Sequence, residues 1–122
     1  MAVLDVKHEE TASLLEELPG EGHLCVTGNA GVEEDVRSFA EKVLECFGCV
    51  DVLVNNACIT RRGILSGCSF EEFNEVLRVG VSAPYLLSLL FRDHFSRGAS
   101  IVNIASTRAS MSRKDTESYS AA

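Results

Sequence analysis

Asn55, Asn56 and Ala57 stand at the end of the run Cys49–Val54, which is apolar except for Asp51. A continuous apolar run stopped by turn formers reads as a strand buried on both faces, as parallel sheets require. In open parallel sheets ligands bind beyond the carboxyl ends of the strands. These three residues are therefore expected to face a ligand. The thiols offer a second kind of chemistry. Cys46-Phe47-Gly48-Cys49 has C-x-x-C spacing, but it sits at a helix end, where no helix dipole lowers a thiol pKa. A zinc site needs further converging ligands, and Cys58 and Cys68 lie at or beyond the opposite end of the strand. The pair is read as buried or half-buried structural cysteines, no metal site is expected, and Cys58 is the thiol nearest the ligand end. His8, His23 and His94 are scattered and read as ordinary helix, strand-edge and surface residues. Val26-Thr27-Gly28-Asn29-Ala30-Gly31 offers a glycine-rich turn of the kind that cradles phosphate. It opens a helix whose first residues include Glu33, Glu34 and Asp35, and these would repel an anion.

Composition sets limits on what such residues serve. With 122 residues the chain is long enough for one domain and short for a whole doubly wound enzyme. It is 46% hydrophobic and 24% charged, which excludes a disordered composition, and no apolar run is long enough to span a bilayer. A net charge of −7 argues against a nucleic-acid surface. Five cysteines without an export signal favour free thiols and a cytoplasmic location.

The elements that must position the candidate residues alternate. Ala2-Val3-Leu4 reads as a short strand ended by Asp5. Residues 8–18 read as a helix closed by Pro19-Gly20-Glu21-Gly22, and His23–Thr27 as a second strand. Val36, Phe39, Ala40, Val43, Leu44 and Phe47 form one apolar stripe, predicting a helix over 32–47 with acidic residues at its positive end. The strand Cys49–Val54 follows. Helices are predicted over 70–79 and 81–95, Pro84 being tolerated in a first turn, then a strand over 100–105 and a polar loop over 107–118. Tyr119 begins a helix. This order predicts an α/β fold with a parallel sheet.

Taken together, these stretches resemble the short-chain dehydrogenase/reductase family. VLVNNA is similar to the family's Asn-Asn-Ala-Gly stretch, with Cys58 in place of the glycine. GASIVNIAS resembles the strand that ends in the catalytic serine, which puts that role on Ser106. Tyr119 follows thirteen residues later, at the spacing of the family's catalytic tyrosine, and Asp5 ends a strand where an acidic residue often holds the adenosine ribose. Asn29 stands where the family has an Asp that contacts the adenine region, and keeps a polar side chain there.

The resemblance implies an NAD(P)-dependent oxidoreductase of a secondary alcohol or ketone. Tyr119 would be the acid/base and Ser106 would orient the substrate oxygen, with Asp5, Asn29, Asn55, Asn56 and Ala57 along the cofactor. A carboxylate at Asp5 favours NAD over NADP, because it accepts from two ribose hydroxyls and repels a 2′-phosphate. Gly80 stands where the family usually has an asparagine. Read against the family, residues 1–122 form a partial dinucleotide-binding, Rossmann-like three-layer αβα domain with a parallel sheet, its first strand and C-terminal part missing. It is expected to be an internal fragment without the glycine-rich phosphate turn or the lysine that follows the tyrosine, inactive and a poor dinucleotide binder by itself. The expected partners are a small-molecule substrate in the full-length relative, and further copies of the chain or a sheet-completing partner. Neither nucleic acid nor membrane is expected. The rival reading is a non-catalytic Rossmann-like interaction subunit.

Overall fold

A computed structural model describes residues 1–122. Four strands form, β1 (Ala2–Asp5), β2 (Leu24–Thr27), β3 (Val50–Asn55) and β4 (Phe95–Asn103). The helices are α1 (His8–Glu17), α2 (Glu33–Phe47), α3 (Phe70–Leu77), α4 (Ala83–Phe91) and α5 (Glu117–Ala121). β1 pairs with β2 and β3 with β4, each pair parallel. The two ladders are not hydrogen-bonded to one another.

The core lies where the stripe of α2 meets α4 beneath the strands. Val36, Phe39, Ala40 and Val43 from α2 join Ala83, Leu87 and Phe91 from α4, with Val26, Val50 and Leu53 from the strands. Ala2, Leu4 and Leu24 pack against this cluster from the first ladder, as the two-residue strand period requires. α1 lies against β1 and β2, and its Thr11 is buried, with the hydroxyl bonded to the His8 carbonyl at 2.8 Å. α2 ends at Gly48, which takes the left-handed conformation (φ 72°) and closes the helix by donating its N–H to the Leu44 carbonyl. Cys46 and Cys49 flank that turn and are both exposed, not buried as the sequence suggested; all five cysteines are free.

α3 and α4 run on through a π-helical turn, Arg78–Ser82, in which the Ala83 N–H reaches back five residues to the Arg78 carbonyl. β4 starts five residues before the expected strand. Phe95 pairs with Val50 and Ser100 with Val52, so a bulge, including Gly98 at φ 87°, absorbs the extra residues.

The expectation of a partial domain, with its first strand and C-terminal part missing, is corrected here. Strands and helices assemble into a three-layer α/β Rossmann-like arrangement, and the C-terminal segment is formed as α5. Packing explains why so short a helix holds. α5 lies on α3 and on the 3₁₀ turn Thr107–Ala109, and Ser118 is only 2% exposed.

Candidate active site

The carboxyl ends of β1 and β3 border one trough of about 920 Å³. Phe39, Val43, Leu87 and Phe91 form its apolar floor, β1 and β3 its walls, and Asp5, Asn55, Asn56 and Ala57 lie on its rim. Four of the five residues expected along a dinucleotide are thus gathered at one cleft. Asp5 is exposed, and its Oδ1 accepts the Lys7 N–H at 3.0 Å.

Asn29 is the exception. It does not line the trough, although its neighbour Ala30 does. Its Oδ1 accepts the Gly31 N–H at 2.8 Å, which folds the side chain back on its own loop. Its backbone N–H donates to Asp35 Oδ2, also at 2.8 Å. The carboxylate therefore occupies an amide that a phosphate would need, and the loop from Val26 to Gly31 is a self-satisfied turn.

Asn55 is held by a residue the sequence reading missed. Its Nδ2 donates to Asn103 Oδ1 at 2.8 Å, and the two residues are in register across β3 and β4. The signal was present in the repeated Val-Asn at the two strand ends, Val54-Asn55 and Val102-Asn103. The Asn55 carbonyl also accepts the Ile104 N–H at 2.9 Å, which fixes the exit of β4 towards Ser106.

Ser106 is half-buried and caps the 3₁₀ turn Thr107–Ala109, its hydroxyl accepting the Arg108 N–H at 3.2 Å. Tyr119, also half-buried, is carried by α5, which packs on that same turn. The two expected catalytic residues therefore belong to one corner of the molecule, on the β4 side, while Asp5 and Asn29 belong to the β1 and β2 side.

A second, wholly polar cleft of about 600 Å³ opens beside the start of α5, lined by Thr60, Arg61, Arg62, Ser66, Glu72 and Asp115. Arg61 donates from Nε and Nη2 to the two oxygens of Glu75, both at 2.8 Å, tying the loop after β3 to α3. Ser69 and Glu72 form a reciprocal capping box at the start of α3. Those bonds from Ser69 hold the Glu72 carboxyl below the usual carboxylate range, with Arg61 and Arg62 adding to the effect. Burial, then the Glu72 charge, pushes the Cys68 thiol up, away from thiolate chemistry. No group of three or more His, Cys, Asp or Glu side chains is arranged to hold a metal ion. No helix is long and apolar enough to cross a membrane.

The family model described as short chain dehydrogenase matches residues 1–122, from the first residue to the last. An uncharacterized oxidoreductase of Thermotoga maritima is 38% identical over 118 residues, covering 93% of this chain and 46% of that protein. An apo SCOR enzyme from Clostridium thermocellum superposes with a TM-score of 0.90 at 38% identity, over 98% of this chain and 49% of the other. The 3-ketoacyl-(acyl-carrier-protein) reductase from Brucella melitensis, solved with NADH, gives 0.85 at 30% identity, over 98% and 52%. The chain thus spans about half the length of the relatives it matches. The family match takes in all of residues 1–122, which corrects the reading of the chain as only an internal segment of the family's pattern. The chain belongs to the short chain dehydrogenase family.

Proposed function

We propose that the chain serves an NAD(P)-dependent oxidoreductase reaction on a secondary alcohol or ketone. The observation that carries this reading is the presence of Asp5, Asn55, Asn56 and Ala57 at one cleft, with Ser106 capping the Thr107–Ala109 turn beyond β4 and Tyr119 on the helix that contacts that turn. The residues on the rim suit a dinucleotide at its ribose and amide ends. Asp5 offers an exposed carboxylate at a strand end, suited to a pair of ribose hydroxyls, and Asn55 is fixed in orientation by Asn103. When bound, the nicotinamide supplies or receives the hydride. Tyr119 passes the proton to or from the substrate oxygen, and Ser106 donates a hydrogen bond to that oxygen as charge develops on it. A free tyrosine has a pKa of about 10, so this role needs positive charge beside the phenol. A carboxylate at Asp5 disfavours a 2′-phosphate, which supports NAD over NADP.

The test is dinucleotide titration of the purified chain, followed by oxidation of NADH and NADPH with a panel of ketones. Saturable binding is expected, with loss of turnover on the order of 10²-fold or more in Tyr119→Phe and a smaller loss in Ser106→Ala. Turnover retained by Tyr119→Phe would remove the assigned role.

A second reading is favoured by one specific observation, the lack of hydrogen bonds between the β1–β2 and β3–β4 ladders across an apolar trough. Facing strand edges with free N–H and C=O groups are templates for another strand. In this reading the chain is an interaction subunit that accepts a strand from a partner. A stable heteromer formed without dinucleotide, with amide exchange slowed in β1 and β3, is its expected signature.

A further inference from the structure

We propose that Gly63 and Gly80 are positioning residues for Tyr119, together forming the seat of the segment 115–122. The inference rests on the acid/base role proposed for Tyr119, and it starts from two close approaches that no side chain could share.

Gly63 is buried in the loop after β3. A methyl group built on it would overlap the Glu117 carboxylate and the Cα of Asp115, and would lie 2.7 Å from Asp115 Oδ1. Gly80 lies in the π-helical turn between α3 and α4, and a methyl there would lie 2.8 Å from the Cβ of Ala122. Cβ atoms essentially never approach so closely, so something must shift if either glycine gains a side chain. Neither contact is made only by the far end of a flexible side chain. At Gly63 the opposing atoms include backbone, and at Gly80 the opposing atom is itself a Cβ.

The two contacts bracket Tyr119. Asp115 is fixed at one end, where the Ser66 hydroxyl donates to its Oδ2 at 2.7 Å and its backbone takes the left-handed conformation (φ 60°). Ala122 stands at the other end, its N–H bonded to the Ser118 carbonyl at 3.1 Å, one helical turn beyond Tyr119 and so on the same face of the segment. Between them Ser118 is 2% exposed. Three elements of different origin, the loop at Gly63, the π-helical turn at Gly80 and helix α3, thus set the height and rotation of the helix that carries the phenol. This also gives Gly80 a local reason. The space that a side chain would fill at that position is taken by Ala122.

The two tyrosines, Tyr85 and Tyr119, allow a direct readout. With 3-fluorotyrosine incorporated, ¹⁹F NMR should give two resonances, and Tyr85, 71% exposed, serves as the internal reference. Gly80→Ala is expected to move the Tyr119 resonance and leave that of Tyr85 in place. Adding Ala122→Gly to the same chain removes the opposing Cβ and is expected to return the resonance. Gly63→Ala is expected to move it as well. Turnover should fall on the order of 10²-fold in the shifted variants, in kcat with the dinucleotide KM unchanged, and recover in Gly80→Ala/Ala122→Gly. Should Gly63→Ala lose its cooperative melt, the Gly80 pair decides. An unmoved Tyr119 resonance in Gly80→Ala, or a shift that Ala122→Gly does not reverse, overturns the proposal. A reversible shift in a chain without turnover in any form, wild type included, would sink the oxidoreductase reading and leave the seating of Tyr119 standing.

Discussion

At the scale of single residues, the side chains that matter are held by short-range devices at strand ends. Asn55 is oriented by its in-register twin Asn103, so Asn103→Ala should leave the strand pair intact while freeing the Asn55 amide to rotate. Asp5 differs, because its carboxylate is exposed and only Oδ1 is engaged, by the Lys7 N–H. Its charge is therefore available to a ligand. Asp5→Ser is expected to weaken NADH binding and strengthen NADPH binding, the ratio of the two dissociation constants shifting by roughly tenfold or more. A 2′-phosphate meets repulsion from a carboxylate and none from a hydroxyl. Isothermal titration with both dinucleotides measures it, and an unchanged ratio would remove Asp5 from the cofactor site.

Among the elements, α3 carries the clearest local stability device. The Ser69 hydroxyl accepts the Glu72 N–H at 3.1 Å while Glu72 accepts the Ser69 N–H at 2.8 Å. Ser69→Ala should cost about 1 kcal/mol, read as a lowered denaturant midpoint with an unchanged slope. The same bonds depress the folded pKa of Glu72. A depressed carboxyl contributes stability that is full above its unfolded value, near 4.3, and is lost as pH falls through the folded value. Glu72→Gln should therefore flatten the acid limb of the stability curve without changing its shape at neutral pH. Much of this level was legible in the sequence. The stripe from Val36 to Phe47 gave α2 to within a residue, because burial of that stripe and the helical period coincide. The run Cys49–Val54 was readable as a strand but not as one buried on both faces, since Val52 and Val54 are 57% and 54% exposed. Only the second half of β4 was readable, because Phe95–Ala99 lacks a strand's apolar pattern and is recruited only through a bulge opposite β3. The π-helical turn was hidden for a related reason, since a single wide turn leaves the apolar period of the flanking helices almost untouched. At the site, strand ends announced Asn55 and Asn56, whereas the seat at Gly63 and Gly80 depends on contacts far apart in sequence.

For the whole molecule, the dominant feature is unpaired apolar surface. Val52, Val54, Ile101, Val102 and Ile104 on the second ladder are between 42% and 57% exposed, and the ladders face each other across the trough without pairing. Contiguous apolar surface beside free strand edges promotes association, against which the net charge of −7 supplies repulsion that salt screens. The chain is therefore expected to associate more strongly as salt and concentration rise, seen by light scattering as a growing mean mass. Val52 lies opposite Ser100 and Val54 opposite Val102, so Val52 and Val102 are diagonal neighbours on one face. Val52→Lys with Val102→Glu places one charge of each sign on that face and leaves the net charge at −7. Any fall in association would then come from lost apolar contact and not from altered overall repulsion. The double variant should remain closer to monomer mass across the same salt series. Association equal to that of the wild type would move the contact surface away from this face of β3 and β4.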